Sequence, residues 1–236
     1  MALRRNPTVD ETALLDYLKD LGYDSLYLTL QEGEPAGVPA PGGGAGTVGT
    51  ADRLATLVTV AAEAAGCTRC RLAEGRQNVV FARGNPAARL MFVGEGPGAE
   101  EDRQGLAFVG PAGKLLDKII AAMGLDDNGV YIANIVKCRP PGNRDPQPDE
   151  VAECIGYLER QIDLVAPRAI VALGRVAAQA LLGTDQALGR LRGSWHSVRG
   201  VPTRVTYHPA ALLRNASFKR PTWEDMQAVM ERLAER

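Results

Sequence analysis

The sequence of 236 residues lacks any uninterrupted apolar run of the roughly 18 residues that a membrane-spanning helix requires. A signal peptide is missing as well, because the two arginines within residues 1–6 are followed by polar Asp10 and Glu11 rather than by an apolar stretch. We therefore expect a cytoplasmic protein that does not associate with membranes.

An excess of charge of either sign is also absent. Lys and Arg number 27 against 28 Asp and Glu, and this net charge of -1 excludes a globally basic protein that coats nucleic acid. A local basic face is still compatible with this sum, because binding depends on where the charge lies. The 45% of hydrophobic and 23% of charged residues permit a sizeable core and exclude disorder of the whole chain.

Cysteine is scarce, and its four copies fall into two pairs. Cys67 and Cys70 form a C-x2-C pair, and Cys138 and Cys154 are separated by fifteen residues. Disulfides are not expected in a reducing cytoplasm, and a thioredoxin-like redox pair is disfavoured because Cys67 and Cys70 precede the first predicted strand. A tetrahedral thiolate site suits structural zinc or an iron–sulfur cluster, and the spacing does not choose between them. Four buried free thiols are the structural alternative.

Composition divides the chain into three parts. Residues 1–30 contain leucines at helical spacing that stop at Gly22, which predicts a short helical N-terminal extension, either a docking helix or a solubilising tail. Residues 31–50 hold seven glycines and three prolines and predict a flexible linker. Residues 51–236 have the size of one compact domain.

Within residues 51–236, short β-rich runs alternate with longer helical patterns. The predicted strands are residues 89–94, 130–135, 169–173 and 203–207. The predicted helices are residues 51–65, 111–123, 148–165, 175–182 and 222–234. This alternation predicts an α/β fold of three layers, α/β/α, with a central, mostly parallel, four-stranded sheet. Ligands are then expected beyond the carboxyl ends of the strands.

A glycine-rich turn follows the first predicted strand as Gly94-Glu95-Gly96-Pro97-Gly98. Glycine at a strand end lets the backbone approach a ligand closely. A phosphate cradle is disfavoured, because the Gly-Lys-Ser/Thr of a P-loop is missing and the three acids at positions 100–102 would repel phosphate. The alternative is a tight turn before an acidic helix N-terminus.

Two further residues stand out. Phe108 is flanked by small residues, so its ring could form a stacking platform for a planar ligand, although an isolated Phe is more often part of the core. His208 follows the last predicted strand, whereas the other histidine, His196, on a predicted surface hairpin, is assigned a structural role. No Asp or Glu occurs between Gln186 and Trp223, where seven Lys and Arg predict a nucleic-acid interface.

Four segments, taken in order, resemble the family 4 uracil-DNA glycosylases, the iron–sulfur branch of that superfamily. The resemblance covers residues 67–233 with every cysteine at the family's spacing, and leaves the first fifty residues outside. The segments are Gly94-Glu95-Gly96-Pro97-Gly98, Phe108-Val109-Gly110, Asn134-Ile135-Val136-Lys137-Cys138-Arg139-Pro140-Pro141 and residues 208–215.

The resemblance implies a role for each candidate residue. Phe108 is expected to stack on a uracil flipped out of DNA, and Asn134 to read its edge by donating to O4 and accepting from N3–H. His208 is expected to donate to O2, where negative charge develops as the N-glycosidic bond breaks. Glu101 would stand beside C5 and exclude the thymine methyl group. Leu212 would be the wedge that fills the gap left in the duplex.

The motifs also depart from better-known relatives at two positions. Gly96 stands where other uracil glycosylases carry a water-activating Asp, so Glu95 is the predicted catalytic residue that positions the water. The alternative is that Glu95 mainly presents backbone amides to the base. Gly96 and Gly98 are expected to bring the backbone close to the base. Ala210 stands where many relatives have a Ser that grips phosphate, so we expect Arg214 to supply part of that grip.

For the cysteines, the resemblance favours a structural [4Fe-4S] cluster over zinc. The cluster is expected to hold the loop of residues 137–147 in a fixed position. Basic side chains of that loop could then meet DNA phosphates. The implied ligands are Cys67, Cys70, Cys138 and Cys154, and the implied phosphate contacts are Lys137, Arg139 and Arg144.

The function that the resemblance implies is that of a monofunctional uracil-DNA glycosylase in base excision repair. It would act as a monomer on single- or double-stranded DNA and leave an abasic site. A related branch that becomes covalently trapped on DNA is disfavoured, because residues 104–113 contain neither a His nor a basic insertion. The alternative is a non-catalytic iron–sulfur protein on the same fold that binds uracil-containing DNA or carries electrons.

Overall fold

The computed structural model describes residues 50–235 of the chain. The predicted helical extension (1–30) and nearly all of the predicted linker (31–50) lie outside the described residues. Within residues 50–235, no helix has the length and apolar character needed to cross a membrane.

The helices and strands alternate along most of the described chain. The helices are α1 (Thr50–Ala65), α2 (Leu72–Gly75), α3 (Ala99–Gln104), α4 (Pro111–Ala122), α5 (Pro148–Val165), α6 (Arg175–Leu182), α7 (Leu188–Leu191), α8 (Pro209–Arg214) and α9 (Lys219–Ala234), with 3-10 turns at Pro141–Asn143 and Ala216–Phe218. The strands are β1 (Arg83–Gly84), β2 (Leu90–Gly94), β3 (Val130–Asn134), β4 (Ala169–Leu173), β5 (Trp195–Val198) and β6 (Val201–Thr206).

The strands form one six-stranded sheet in the order β1-β3-β2-β4-β6-β5. The four predicted strands are the parallel centre of this sheet, in which β2 pairs with β3 and β4, and β4 pairs with β6. Antiparallel β1 and β5 are added at the two edges. The predicted α/β class is confirmed, while the sheet has six strands instead of four. An edge strand as short as β1 carries too few residues to show an alternating pattern.

Helices cover both faces of the sheet. Successive side chains of the parallel strands point to opposite faces, so each strand contributes to both cores. Phe92 and Ile132 face one core with residues of α4 and α9, including Leu116 and Met226. Met91, which alternates with Phe92 along β2, faces a second core with residues of α1, α5 and α6. The second core is lined by Leu57, Val60, Val93, Ala133, Leu158, Ile162, Ile170 and Ala177. The near-continuous apolar strands therefore produce the three predicted layers.

His196 lies on the β5–β6 hairpin, where Nε2 is 2.8 Å from the carbonyl oxygen of Leu191. The surface hairpin predicted at this position is therefore present. This contact connects the hairpin to α7, in line with the structural role assigned to His196.

Candidate active site

The chemistry-bearing residues meet at the carboxyl ends of the parallel strands. Gly94 ends β2 and lies opposite Asn134, the last residue of β3. The Asn134 side chain is 1% exposed, and its Oδ1 is a buried acceptor without a hydrogen-bond partner among the described residues. Leaving such an acceptor unpaired costs on the order of 1–3 kcal/mol. The amide is therefore ready to accept a hydrogen bond from a bound ligand.

Gly94 makes room for two side chains at this edge. A Cβ atom at Gly94 would lie 2.5 Å from Oδ1 of Asn134 and 2.5 Å from Cζ of Phe108. Real Cβ atoms do not approach other heavy atoms so closely, so only glycine fits there without a shift of its neighbours. The Asn134 amide and the Phe108 ring thus lie on the same side of the β2 end.

The Phe108 backbone is in the left-handed region, with φ of 54°. A non-glycine residue adopts this conformation only where its surroundings hold it there. The start of α4 is packed against it, since a Cβ at Gly113 would lie 1.8 Å from the Phe108 carbonyl oxygen. The Phe108 ring lies 5.6 Å from the His208 ring between centroids, tilted by 33°. The loop therefore presents a fixed aromatic face beside the histidine.

Glu101 holds this loop to the glycine-rich turn. Its Oε1 accepts hydrogen bonds from the backbone N–H groups of Val109 at 2.9 Å and Gly110 at 2.8 Å. Its Oε2 accepts from the N–H of Gly98 at 3.1 Å. A carboxylate that accepts several backbone N–H groups is a strong local crosslink. We call this three-bond contact the Glu101 clamp. The exclusion of thymine expected of Glu101 stays a prediction.

His208 is held as a neutral donor. Its Nδ1 accepts the N–H of Ala210 at 3.1 Å, which leaves the ring proton on Nε2. Burial, and secondarily the positive charge of Arg214, lowers the pKa of His208 to about 4, while the Glu101 carboxylate opposes the shift. The imidazole is therefore neutral at pH 7 and can still donate through Nε2. Gly174, directly after β4, allows the chain to pack closely against His208, because a Cβ at position 174 would lie 2.9 Å from the Cβ of His208.

Glu95 lies in the glycine-rich turn and is half-buried. Burial raises the pKa of its carboxyl to about 7; the nearby Asp145 raises it further, and Arg175 opposes the shift. A carboxyl group with such a pKa can exchange a proton near neutral pH, as general bases do.

The glycines on either side of Pro97 are packed tightly. A Cβ at Gly96 would lie 2.8 Å from the Val136 side chain, and a Cβ at Gly98 would lie 2.8 Å from Oε2 of Glu101. Close packing therefore accounts for both glycines without a ligand. Their predicted contact with the base remains a prediction.

The predicted phosphate contact of Lys137 is wrong. The Lys137 side chain is 1% exposed, and its Nζ donates to the backbone oxygen of Asn134. Because its Nζ is buried against the end of β3, this ammonium cannot reach a phosphate. Arg144, expected at the same surface, donates two hydrogen bonds to the buried carboxylate of Glu150, at 2.7 and 2.8 Å. Arg139 donates from Nε to Asn143 at 2.8 Å and is partly exposed.

The predicted wedge at Leu212 is also misplaced. The Leu212 side chain is 1% exposed and belongs to the core that contains α4 and α9. Its neighbour Leu213 is 54% exposed. The turn of α8 decides which of two adjacent leucines faces solvent, and the sequence offers no signal for this choice.

The acid-free run between Gln186 and Trp223 does not form a uniformly positive face. The buried Asp225 pairs with Arg192 and Arg204, and other carboxylates pair with two more bases of the run. Those pairs are Arg199 with Asp163 and Arg220 with Glu224. Acids that lie outside the run, most of them distant in sequence from their partners, therefore pair with at least four of its seven bases.

All four cysteines of the chain line one cavity. Cys138 and Cys154 are buried, whereas Cys67 and Cys70 are partly exposed. Arg76 donates to the carbonyl oxygen of Cys67 at 2.6 Å and to Sγ of Cys138 at 3.4 Å. The two predicted pairs, which are far apart in sequence, thus meet at one place in the fold. Sequence reasoning missed Arg76, because nothing distinguishes it from other surface arginines before the chain is folded.

The parallel sheet and the residues at its carboxyl edge define a class of protein. Residues 81–227 match the model of the uracil DNA glycosylase superfamily, and the chain belongs to it.

Curated relatives narrow this assignment. The chain is 40% identical over 185 residues to the type-4 uracil-DNA glycosylase of Sulfurisphaera tokodaii, a match that covers 75% of this chain and 84% of the relative. It is 44% identical over 167 residues to the type-4 enzyme of Thermotoga maritima, covering 68% of this chain and 86% of the relative. The chain is a member of the type-4 uracil-DNA glycosylase family, as the sequence resemblance predicted.

Replacing Glu101 by Gln tests the Glu101 clamp. Glu101→Gln places an NH2 group against at least one backbone N–H, so we expect the free energy of unfolding in urea to fall by about 1–3 kcal/mol. Glu100→Gln is the matched control, because Glu100 is exposed and pairs with Arg103 on the surface. The control is expected to change stability by less than about 0.5 kcal/mol. Equal losses in the two variants would contradict the assignment.

Proposed function

We propose that this chain removes uracil from DNA by hydrolysing the N-glycosidic bond, leaving an abasic site for repair. The observation that carries the proposal is the buried Oδ1 of Asn134, which has no hydrogen-bond partner within residues 50–235 and lies beside the Phe108 ring. This edge offers two features that recognition of a flipped base needs, a stacking face and the free acceptor just described. Family membership supports the same reaction.

Base selection follows from the hydrogen-bonding pattern of uracil. The Oδ1 of Asn134 would accept N3–H, and its Nδ2 would donate to O4, while the ring stacks on Phe108. Cytosine has an acceptor at N3 and a donor at N4, so both amide groups would face a like group. Each buried group left unpaired costs about 1–3 kcal/mol, which rejects cytosine.

The leaving base is stabilised by His208. As the bond to deoxyribose breaks, negative charge accumulates on uracil, and the proton on Nε2 of His208 can donate to O2. Because the pKa of His208 is lowered to about 4, the ring stays neutral at pH 7 and donates through its Nε2–H. A buried neutral donor stabilises the anion without the cost of burying a second charge.

We assign the positioning of the attacking water to Glu95. Its carboxyl has the required pKa of about 7 and lies in the turn that follows β2, next to the proposed base site. In the ionised form it would orient the water and accept its proton as the sugar is attacked.

The four cysteines would hold a [4Fe-4S] cluster. Among residues 50–235, no three His, Cys, Asp or Glu side chains are arranged to hold a single metal ion, although all four thiols line one cavity. Four thiols that face one cavity are the donor set that such a cluster requires. Arg76 and Lys137 also line it and would compensate the negative charge of a thiolate-bound cluster. When bound, the cluster supplies a crosslink between distant segments.

The DNA partner, single- or double-stranded, would be held by a few residues around this edge. Arg214 ends α8 and would contact a phosphate, as would Arg139 in the loop after β3. Leu213 replaces Leu212 as the proposed wedge, because its side chain is the exposed one.

Glycosylase activity is tested with matched oligonucleotides that carry uracil, cytosine or thymine at one position. We expect the full-length protein, purified anaerobically, to produce alkali-sensitive nicks at uracil only. Asn134→Ala is expected to lower the rate on the order of a hundredfold, since it removes the recognition of the base. Absence of nicking with iron bound would reject the enzyme and favour a non-catalytic uracil-DNA-binding or electron-transfer protein.

The pH dependence tests Glu95. Because the pKa of Glu95 is raised to about 7, its active ionised form is lost as the pH falls below that value, so the single-turnover rate should rise through about pH 7. Glu95→Gln should lower the rate about 100-fold or more and abolish this rise. Glu100→Gln, on the surface, should keep the wild-type profile. A pH rise that persists in Glu95→Gln would assign the ionisation to another group.

Two adjacent leucines test the wedge. Leu213→Ala should lower excision from duplex DNA more than from single-stranded DNA, because only a duplex leaves a gap to fill. Its free energy of unfolding should change by less than about 0.5 kcal/mol. Leu212→Ala, the matched control in the core, should cost about 2–5 kcal/mol of stability. An equal effect of Leu213→Ala on both substrates would exclude the wedge.

A further inference from the structure

A lysine ammonium lies buried directly behind the proposed base-reading edge. Lys137 follows Asn134 by three residues, and its Nζ donates to the backbone oxygen of Asn134 at 2.8 Å. The same Nζ donates to Oε1 of Gln161 at 2.5 Å and lies 5.7 Å from the centroid of the Phe81 ring. All of these partners are neutral.

This burial needs an explanation other than packing. Among residues 50–235, no carboxylate forms an ion pair with Lys137; the acids at the start of α5 pair with arginines. A negatively charged cluster on the four cysteines, whose cavity Lys137 also lines, would offset the desolvation cost of this ammonium, but it leaves the direction of the Nζ hydrogen bond unexplained. What an apolar side chain could not supply is the hydrogen bond to the Asn134 carbonyl.

The ammonium is itself held from several directions. Gln161, which accepts from it, donates through Nε2 to the Tyr131 hydroxyl at 2.9 Å and to the Phe81 carbonyl oxygen at 3.1 Å. The Lys137 backbone N–H donates to Sγ of Cys154 at 3.2 Å, and its carbonyl oxygen accepts from Val80 at 2.8 Å. A side chain restrained at both ends can serve as a rigid support for the group it touches.

We propose that Lys137 is a positioning residue for base recognition. Its ammonium fixes the peptide of Asn134 at the end of β3, and this aims the Asn134 amide at the base. The inference rests on the proposed reading of the uracil edge by Asn134. Small displacements of a recognition group lower its effect steeply, since hydrogen bonds to the ligand depend on distance and angle.

Binding of uncleavable DNA tests this proposal without relying on catalysis. The probes are oligonucleotides with 2′-fluoro-2′-deoxyuridine or 2′-fluoro-2′-deoxycytidine at one position, and the readout is the ratio of their dissociation constants. Lys137→Met should lower the preference for uracil on the order of tenfold. In an Asn134→Ala background, Lys137→Met should have no further effect, because the group it positions is gone.

Asn134→Ala alone separates the two proposals. If that variant keeps the preference for uracil, the proposed reading by Asn134 fails. If it loses the preference while Lys137→Met keeps it, only the role of Lys137 fails. Equal losses from Lys137→Met in both backgrounds would also overturn it, since a merely structural effect adds independently of Asn134.

Controls separate positioning from folding. Lys118→Met removes an exposed lysine of α4 and should leave the preference unchanged. Bound iron and the urea unfolding midpoint report whether each variant is intact. If Lys137→Met does not fold, Gln161→Leu keeps the ammonium but removes one of its acceptors. That variant should lower the preference partially, and again only when Asn134 is present; a loss in both backgrounds overturns the proposal.

Discussion

The carboxylate of Glu101 is the interaction on which the arrangement of the site depends. It joins the glycine-rich turn after β2 to the loop that carries Phe108, through three backbone N–H groups. Its bonds to Val109 and Gly110 restrain the two residues that follow Phe108, whose backbone is left-handed and whose ring lies 5.6 Å from that of His208. Glu101 therefore fixes two loops of the site, and its negative charge opposes the lowering of the pKa of His208.

The segment from Asn134 to Cys138 connects two centres that look separate in the sequence. Asn134 faces the proposed base site, and Cys138 lines the four-cysteine cavity. Between them, Lys137 contacts the Asn134 carbonyl with its side chain and Cys154 with its backbone. Residues 134–138 therefore connect the four-cysteine cavity directly to the proposed base site.

Much of the fold could be predicted, because buried parallel strands produce continuous apolar runs, and glycine or polar residues mark the ends of these runs. The strand 169–173 and the helices 148–165 and 175–182 have the bounds that were expected. Edge strand β1 was missed, since its two residues are too few to show a period, and β5 was expected only as part of a surface hairpin. In the site, the order of the motifs identified Asn134, Phe108 and His208 as neighbours, but it could not show which side chains face inward.

The sequence by itself determined the fold class, the family and the set of residues that meet at the strand ends, because these depend on local pattern and on order along the chain. Only the tertiary structure decided the environment of each side chain. It buried Lys137 and Leu212, exposed Leu213, and brought Asp225 to the arginines of an acid-free run. Burial and charge pairing are properties of neighbours distant in sequence, and they are therefore set only when the chain has folded.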